Sequence, residues 1–290
     1  MTIKAHFTQT NSMQSKLLLL FVLGFTFIFS ACQNDKLIKR GDSVEVAYQK
    51  AMSFYEEENY SEAANAFDTV TRVGRGTEYG QDAQYYLAES YFKNNQFLLA
   101  ASEYDRFVSY YPQDERRQEM EYKAALCYYQ QSPRYKLDQS DTRRAIERFQ
   151  LFINRYPDSE RVTDAASRID ELRAKLAHKA YNAAQFYVRN DMFKAATLYL
   201  DRVVDQYPES KWAERALVDQ VKTYIEYADN SVRQSQRERY SKAIESYETF
   251  LQLFPQSELR AEIENYHDEA QNKLANVVTI DDSETEEGQS

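Results

Sequence analysis

Glycine is nearly missing from this chain. Of 290 residues only Gly24, Gly41, Gly74, Gly76, Gly80 and Gly288 are glycine, so none falls between Gln81 and Glu287. That stretch supplies neither the tight turns of β-hairpins nor a glycine-rich phosphate cradle, which argues for an all-helical body without a nucleotide site. Cysteine is scarcer, with only Cys32 and Cys127. Once Cys32 is assigned to the end of a leader, no intramolecular disulfide remains, and Cys127 reads as a small core residue. The three histidines, His6, His178 and His267, are isolated in sequence. There is no HExxH or paired CxxC to ligate a metal and no GxSxG elbow to carry a nucleophile, so no enzyme, cofactor or metal site is expected. Positive charge is also in deficit, with 36 Lys and Arg against 46 Asp and Glu and a net −10. Scattered basic residues on an acidic chain argue against nucleic-acid binding, which needs clustered Lys and Arg to neutralise phosphates.

Proline is rare but regular. Four of the five prolines follow an alanine at a distance of twelve residues: Ala100 to Pro112, Ala145 to Pro157, Ala196 to Pro208 and Ala243 to Pro255. Tyr111, Tyr156, Tyr207 or Phe254 precedes the proline, and Ser159, Ser210 and Ser257 follow two residues after the last three. The physical reading is a stack of helical hairpins. Alanine lets two helices approach, proline stops the second of them, and the serine is placed to cap the next.

The first thirty residues read as a leader. Lys4 and Lys16 precede an apolar run of 13 residues, Leu17 to Phe29, and then Ser30, Ala31 and Cys32. Thirteen residues are short for a span and suit a signal-peptide core. Small residues before Cys32 resemble a bacterial lipobox, with Phe29 in place of the commoner leucine. Cys32 is then the lipidation site, and acyl chains hold the protein on a membrane without a transmembrane helix. An ordinary secretory peptide is the alternative. Gln33, Asn34 and Asp35 lack the aspartate directly after the cysteine that resembles an inner-membrane retention signal, and lack the acidic cluster that resembles a surface-export signal, which favours the periplasmic face of the bacterial outer membrane.

Five helix-turn-helix units follow in a tetratricopeptide-like register, giving an all-α superhelix. Gln84, Leu87, Ala88 and Tyr91, then Ala100, Tyr104 and Phe107, fit the repeat most closely. The expected domains are a signal peptide at 1–31, a tether at 32–43, units at 44–78, 79–115, 116–160, 161–210 and 211–278, and an unstructured acidic tail at 279–290. Alanine spacings of 37, 45, 51 and 47 exceed the usual repeat of about 34 and locate extra residues. Polar segments from Gln130 to Asp141 and from Asp229 to Arg239 are expected to separate paired helices. Arg161 to Asn190, free of glycine and proline, predicts one continuous helix shared by the third and fourth units.

Asp105-Arg106-Phe107 ahead of Tyr111-Pro112, Asp138-Gln139-Ser140-Asp141 before Ala145, and Ser167 to Arg173 leading through Leu176-Ala177 to Tyr187 complete a pattern. Together with the lipobox and unit count, it resembles the BamD family of outer-membrane protein assembly lipoproteins over residues 32 to 278. The resemblance implies a structural subunit of the β-barrel assembly machine. Its C-terminal repeats would bind the periplasmic POTRA domains of BamA, its N-terminal repeats would receive unfolded outer-membrane protein precursors, and other lipoproteins of the complex are further partners. Gly74-Arg75-Gly76 replaces the terminal proline of the first unit and can end its helix in left-handed geometry. Rival readings are another periplasmic tetratricopeptide adaptor, such as a peptidoglycan-synthesis coordinator, and a hydrolytic lipoprotein.

A tetratricopeptide groove is lined by the first helix of each hairpin. The register gives Tyr48, Met52 and Tyr55 in the first unit, Asp82, Tyr85, Glu89 and Phe92 in the second, and Tyr122 and Tyr129 in the third. Such an aromatic and acidic surface suits loose recognition of aromatic-rich client strands. The alternative for each tyrosine is packing between repeats. Arg202, Lys211, Arg215 and Lys222 are candidates for docking an acidic partner.

Overall fold

The computed structural model describes residues 37–287, with side chains described through residue 278. Those residues form eleven helices: α1 Val44–Glu56, α2 Tyr60–Val73, α3 Glu78–Lys93, α4 Phe97–Tyr110, α5 Arg117–Gln131, α6 Ser140–Arg155, α7 Val162–Arg189, α8 Phe193–Gln206, α9 Lys211–Asp229, α10 Arg233–Leu253 and α11 Arg260–Glu287. Successive pairs make five hairpins, and α11 follows the last. In sequence the chain divides into two compact units, with the boundary between Met120 and Glu121.

The alanine of each hairpin is the contact point that the sequence predicts: Ala63, Ala100, Ala145, Ala196 and Ala243 are all fully buried. Four residues on stand Phe67, Tyr104, Phe149 and Leu200, and seven on stand Val70, Phe107, Phe152, Val203 and Phe250, all buried. This i, i+4, i+7 stripe is the apolar face of each second helix. Burying side chains of this size stabilises the fold by roughly 1.5–3 kcal/mol each.

The helices end by two recurrent devices. At Tyr111, Tyr156, Tyr207 and Phe254 the residue before proline takes an extended φ between −124° and −139°, while its N–H still reaches back four residues. Proline bars the helical conformation there. Inside the first, second and fourth hairpins, Glu58, Asn95 and Asp191 adopt φ of 58°, 58° and 53°. Their N–H groups bond three residues back, and the next residue's N–H bonds five back, as in Asn59 to Phe54 at 2.9 Å and Gln96 to Tyr91 at 2.8 Å. This is a Schellman closure made without glycine.

Several details differ from expectation. Gly76, with φ +85°, is the left-handed residue after α2, whereas Gly74 is not. Of the three serines only Ser210 caps its helix, accepting from Ala213 N at 3.1 Å; Ser159 and Ser257 accept one turn earlier, before α7 and α11 begin. The expected separation from Asp229 to Arg239 shrinks to residues 230–232, because Arg233 onward contains no glycine or proline and winds into α10. Gln236 and Arg239 bond back to the carbonyls of Ser231 and Tyr227, fixing the turn. The acidic tail is likewise corrected in its backbone. α11 runs on to Glu287 because Ile263, Ala270 and Val277 anchor one face of it in the core and no breaker intervenes before Gly288.

α7 is the shared helix, 28 residues long and therefore about 42 Å at 1.5 Å per residue. Ala165 and Ile169 in its first half join a core with Phe149 and Phe152 of α6, while Ala184 in its second half joins the core built on α9.

Candidate functional site

Across the first two hairpins the groove positions collect into an aromatic seam. Tyr48 and Tyr55 lie two turns apart on α1, and Tyr79 and Tyr86 have the same spacing on α3. Tyr86 stacks on Phe67 at 5.5 Å and meets Tyr55 edge-on at 5.1 Å, while Tyr48 lies 5.5 Å from Tyr79. Tyr85 meets Tyr86 at 5.0 Å and continues the seam to Phe107 at 6.5 Å. Tyr48, Met52, Tyr55 and Tyr85 are all half-buried. Burial pushes the Tyr48 phenol up to about 12 and raises that of Tyr85 further, with nearby acidic groups adding to both. At neutral pH these hydroxyls stay protonated, able to donate or accept a hydrogen bond.

Arg116, which the repeat register does not single out, organises the acidic end of this surface. Its guanidinium stands 5.2 Å from the Tyr85 ring and 5.1 Å from Phe107, and pairs with Asp82 at 2.8 Å and Asp114 at 2.9 Å. The hydrogen bond to Asp114 is the main cause of its raised pKa, and the Arg116 fork holds Asp114 below the usual carboxylate range. Asp82 is thus an internally paired anion at the surface. A signal for Arg116 was available in sequence only as a cation near an Asp. Tyr79 and Tyr86 were detectable as an i, i+7 pair.

Other groove candidates are placed differently. Glu89 is buried, 5% exposed, and accepts the Tyr104 hydroxyl at 2.6 Å, so it serves the core of the second hairpin instead of an open face. Phe92 is half-buried against Phe97 at 5.5 Å and Tyr104 at 6.4 Å. Tyr122 is only 3% exposed, packed on Phe149 and Phe152 with its hydroxyl on Asp164. It therefore belongs to the core of the third hairpin. Tyr129, half-buried, donates to Glu171 while Arg168 covers its ring at 4.7 Å. The physical cause is common to all: a first helix is flanked by neighbours on both sides, so a long aromatic at a groove position also reaches an adjacent helix.

Among the docking candidates, Arg202 is exposed beside Tyr199, Lys211 is exposed beside Trp212, and Lys222 makes a weak surface pair with Glu226 at 3.9 Å. Arg215 is engaged internally. It pairs with Glu262 of α11 at 2.8 Å and with Asp219 at 3.6 Å. Asp219 also accepts from Tyr181 and Gln185, both at 2.6 Å, although burial raises its pKa.

Tyr135, His178 and Trp212 form a sandwich, with ring centroids 3.7 Å and 3.9 Å from the histidine. Lys175 and Lys179 of the same helix bond to Ser132 and to the Leu137 carbonyl, so α7 clasps the 132–139 turn. Among the described residues no cluster of three His, Cys, Asp or Glu is placed to hold a metal, and no helix is long and apolar enough to cross a membrane. Cys32 and the leader lie outside the described residues.

These hairpins, with their buried alanine contacts and shared helix, define a helical-repeat scaffold of tetratricopeptide type. The chain matches the YfiO family, described as outer membrane lipoprotein, over residues 40–238, and it belongs to that family. Its relatives include the outer membrane protein assembly factor BamD of Caulobacter vibrioides, 28% identical over 63% of this chain and 60% of that protein. The BamD proteins of Xylella fastidiosa and Neisseria meningitidis serogroup B are 25% and 24% identical, covering 76% and 70% of this chain and 80% and 81% of theirs. Among solved structures, the tetratricopeptide domain of P58(IPK) superposes with a TM-score of 0.39 at 16% identity, covering 80% of this chain and 66% of that one, a likeness too loose to argue from.

Proposed function

We propose that the protein is a non-enzymatic lipoprotein subunit of outer-membrane β-barrel assembly, anchored through Cys32 on the periplasmic face. It docks on the POTRA domains of BamA and helps to receive and insert unfolded barrel precursors. Family membership over residues 40–238 carries this reading. The aromatic seam of the first two hairpins supports client contact there, since half-buried rings with protonated hydroxyls offer both apolar area and hydrogen bonds to an extended strand. Units three to five are assigned to BamA, with Lys211 and Lys222 as exposed cations. Surface pairs contribute only about 0–1 kcal/mol each, so apolar contact must carry most of that affinity.

Affinity purification of the tagged full chain from outer membranes tests the reading. BamA should co-purify; recovery of a murein synthase instead would favour a peptidoglycan-synthesis adaptor. Cys32→Ala should abolish acyl labelling and outer-membrane fractionation. Tyr48→Phe with Tyr85→Phe keeps the packing and removes only the hydroxyls, and should weaken crosslinking to a client's C-terminal strand. Unchanged crosslinking would move the client site elsewhere.

A further inference from the structure

A cavity of about 320 Å³ lies between α2 and α4 of the first two hairpins, over the first turn of α3. Arg72, Arg75 and Arg106 line it, together with Asp68, Tyr110 and the side-chain-free wall at Gly80. On a chain of net charge −10, three guanidiniums around one space stand out. Two of them are already tied: Arg72 pairs with Asp68, and Arg106 pairs with Glu103 at 2.9 Å. Arg75 has no carboxylate partner among the described residues. Its guanidinium sits 5.9 Å from the Tyr110 ring, and its charge opposes the rise that burial causes in the Tyr111 phenol. Three arginines against Asp68 and Glu103 leave one net positive charge at the cavity.

We propose that this cavity binds a phosphate group, with Arg75 as the principal ligand and Arg72 and Arg106 as secondary donors. Each guanidinium presents five N–H donors in a planar fork, so an arginine committed to one carboxylate keeps donors for a second anion. A carboxylate matches one fork with its two oxygens. A tetrahedral phosphate has oxygens to meet several forks at once, and three forks line this cavity. The repeat architecture does not create the positive charge by itself. The corresponding groove between α8 and α10 of the fourth and fifth hairpins is lined by Asp201, Asp205 and Glu245 with only Lys242 among them. The basic lining is therefore a property of these residues and not of the hairpin geometry. The phosphate would come from a phospholipid headgroup or from free phosphate, and the site stands independently of the assembly role proposed above.

Isothermal titration of the full chain in non-ionic detergent at low salt separates these sources. The probes are inorganic phosphate and glycerophosphoglycerol, the soluble headgroup of an anionic phospholipid, with acetate as competitor. Saturable binding is expected, weakened by Arg75→Gln on the order of tenfold through loss of a charge-assisted fork. Because Arg75 is exposed and unpaired, its substitution should leave the melting temperature unchanged, so lost binding is not lost fold. Tighter binding of the diester supports a lipid headgroup, and tighter binding of inorganic phosphate supports the free ion. The proposal is overturned if neither probe saturates, if Arg75→Gln binds as well as wild type, or if acetate competes at equal concentration.

Discussion

Gly80→Ala should destabilise the first unit, and the sign alone is diagnostic. In an unobstructed helix the substitution stabilises by about 1 kcal/mol, since alanine has the better helix propensity. Here a methyl carbon built on Gly80 falls 2.1 Å from the Gly74 carbonyl oxygen and 2.6 Å from its carbon, where ordinary contact begins at 3.4 Å. Both atoms are backbone, so relief requires the α2–α3 turn to open. That turn is held by Thr77, whose hydroxyl donates to Gly74 O at 2.7 Å and accepts from Gly80 N at 3.2 Å. Overpacking costs about 1–3 kcal/mol and a lost threonine cap about 1 kcal/mol. Set against the propensity gain, the net is a loss of about 1–3 kcal/mol, or very roughly 2–12 °C in Tm for a chain this size. Circular dichroism at 222 nm through thermal and urea melts measures it. A midpoint equal to or above wild type would refute the close approach. Gly76→Asn is the control, because Gly76 has open space around a left-handed φ that asparagine tolerates, so it should lose far less.

Glu58→Gly should raise the urea midpoint, because Glu58 occupies left-handed geometry that costs a side chain about 1–2 kcal/mol, less the roughly 0.4–1 kcal/mol of added unfolded-state entropy; Asn95→Gly should change little, as asparagine already accepts that conformation. Ala145→Leu, at a fully buried helix contact, should lower the midpoint by about 1–3 kcal/mol, and unchanged stability would show that the α5–α6 contact is misassigned. Burial first, then the charges of Lys211 and Lys136, lowers the pKa of His178 below its ordinary 6.5. The unfolded chain therefore takes up a proton that the folded one refuses, so stability is full above pH 6.5 and falls as pH drops from there through the lowered value. His178→Phe keeps the ring stack without the titration, so its Tm should depend less on pH between 7 and 5; an equal slope would place the effect in other groups.

The repeat architecture was legible because backbone punctuation is a local property. Proline acts on its immediate neighbours, and the small residue twelve positions earlier marks the helix contact within the same hairpin. Ala100 and Ala145 could be placed in the core from spacing alone. The α9–α10 turn was less legible. The polar segment from Asp229 to Arg239 reads as loop, yet its residues are acceptable helix formers, and Tyr240 bonded to Asp229 at 2.6 Å brings the next helix back immediately. Polarity marks exposure, and an exposed helical turn looks like a loop in composition.

Charge at the candidate docking surface was the least legible feature, for a physical reason that decides how docking must be tested. Lys211, Arg215 and Lys222 form one stripe on α9 by helical spacing, and nothing in that spacing separates them. The ion pair that does so links Arg215 to Glu262, a residue 47 positions away on α11. Its local partner Asp219 is held in turn by Tyr181 and Gln185 of α7. Removing the arginine would leave a mostly desolvated carboxylate without its cation, a change that strains the second unit whether or not a partner ever binds there. Lys211 carries no such burden. Its ammonium is exposed, 5.4 Å from the Trp212 ring, and reversing its charge breaks no ion pair among the described residues, its one inward effect being to relieve the lowering of the His178 pKa. Lys211→Glu should therefore reduce BamA capture with helicity and Tm preserved. Arg215→Glu should lower both together, and full BamA capture by Lys211→Glu would remove α9 from the docking surface.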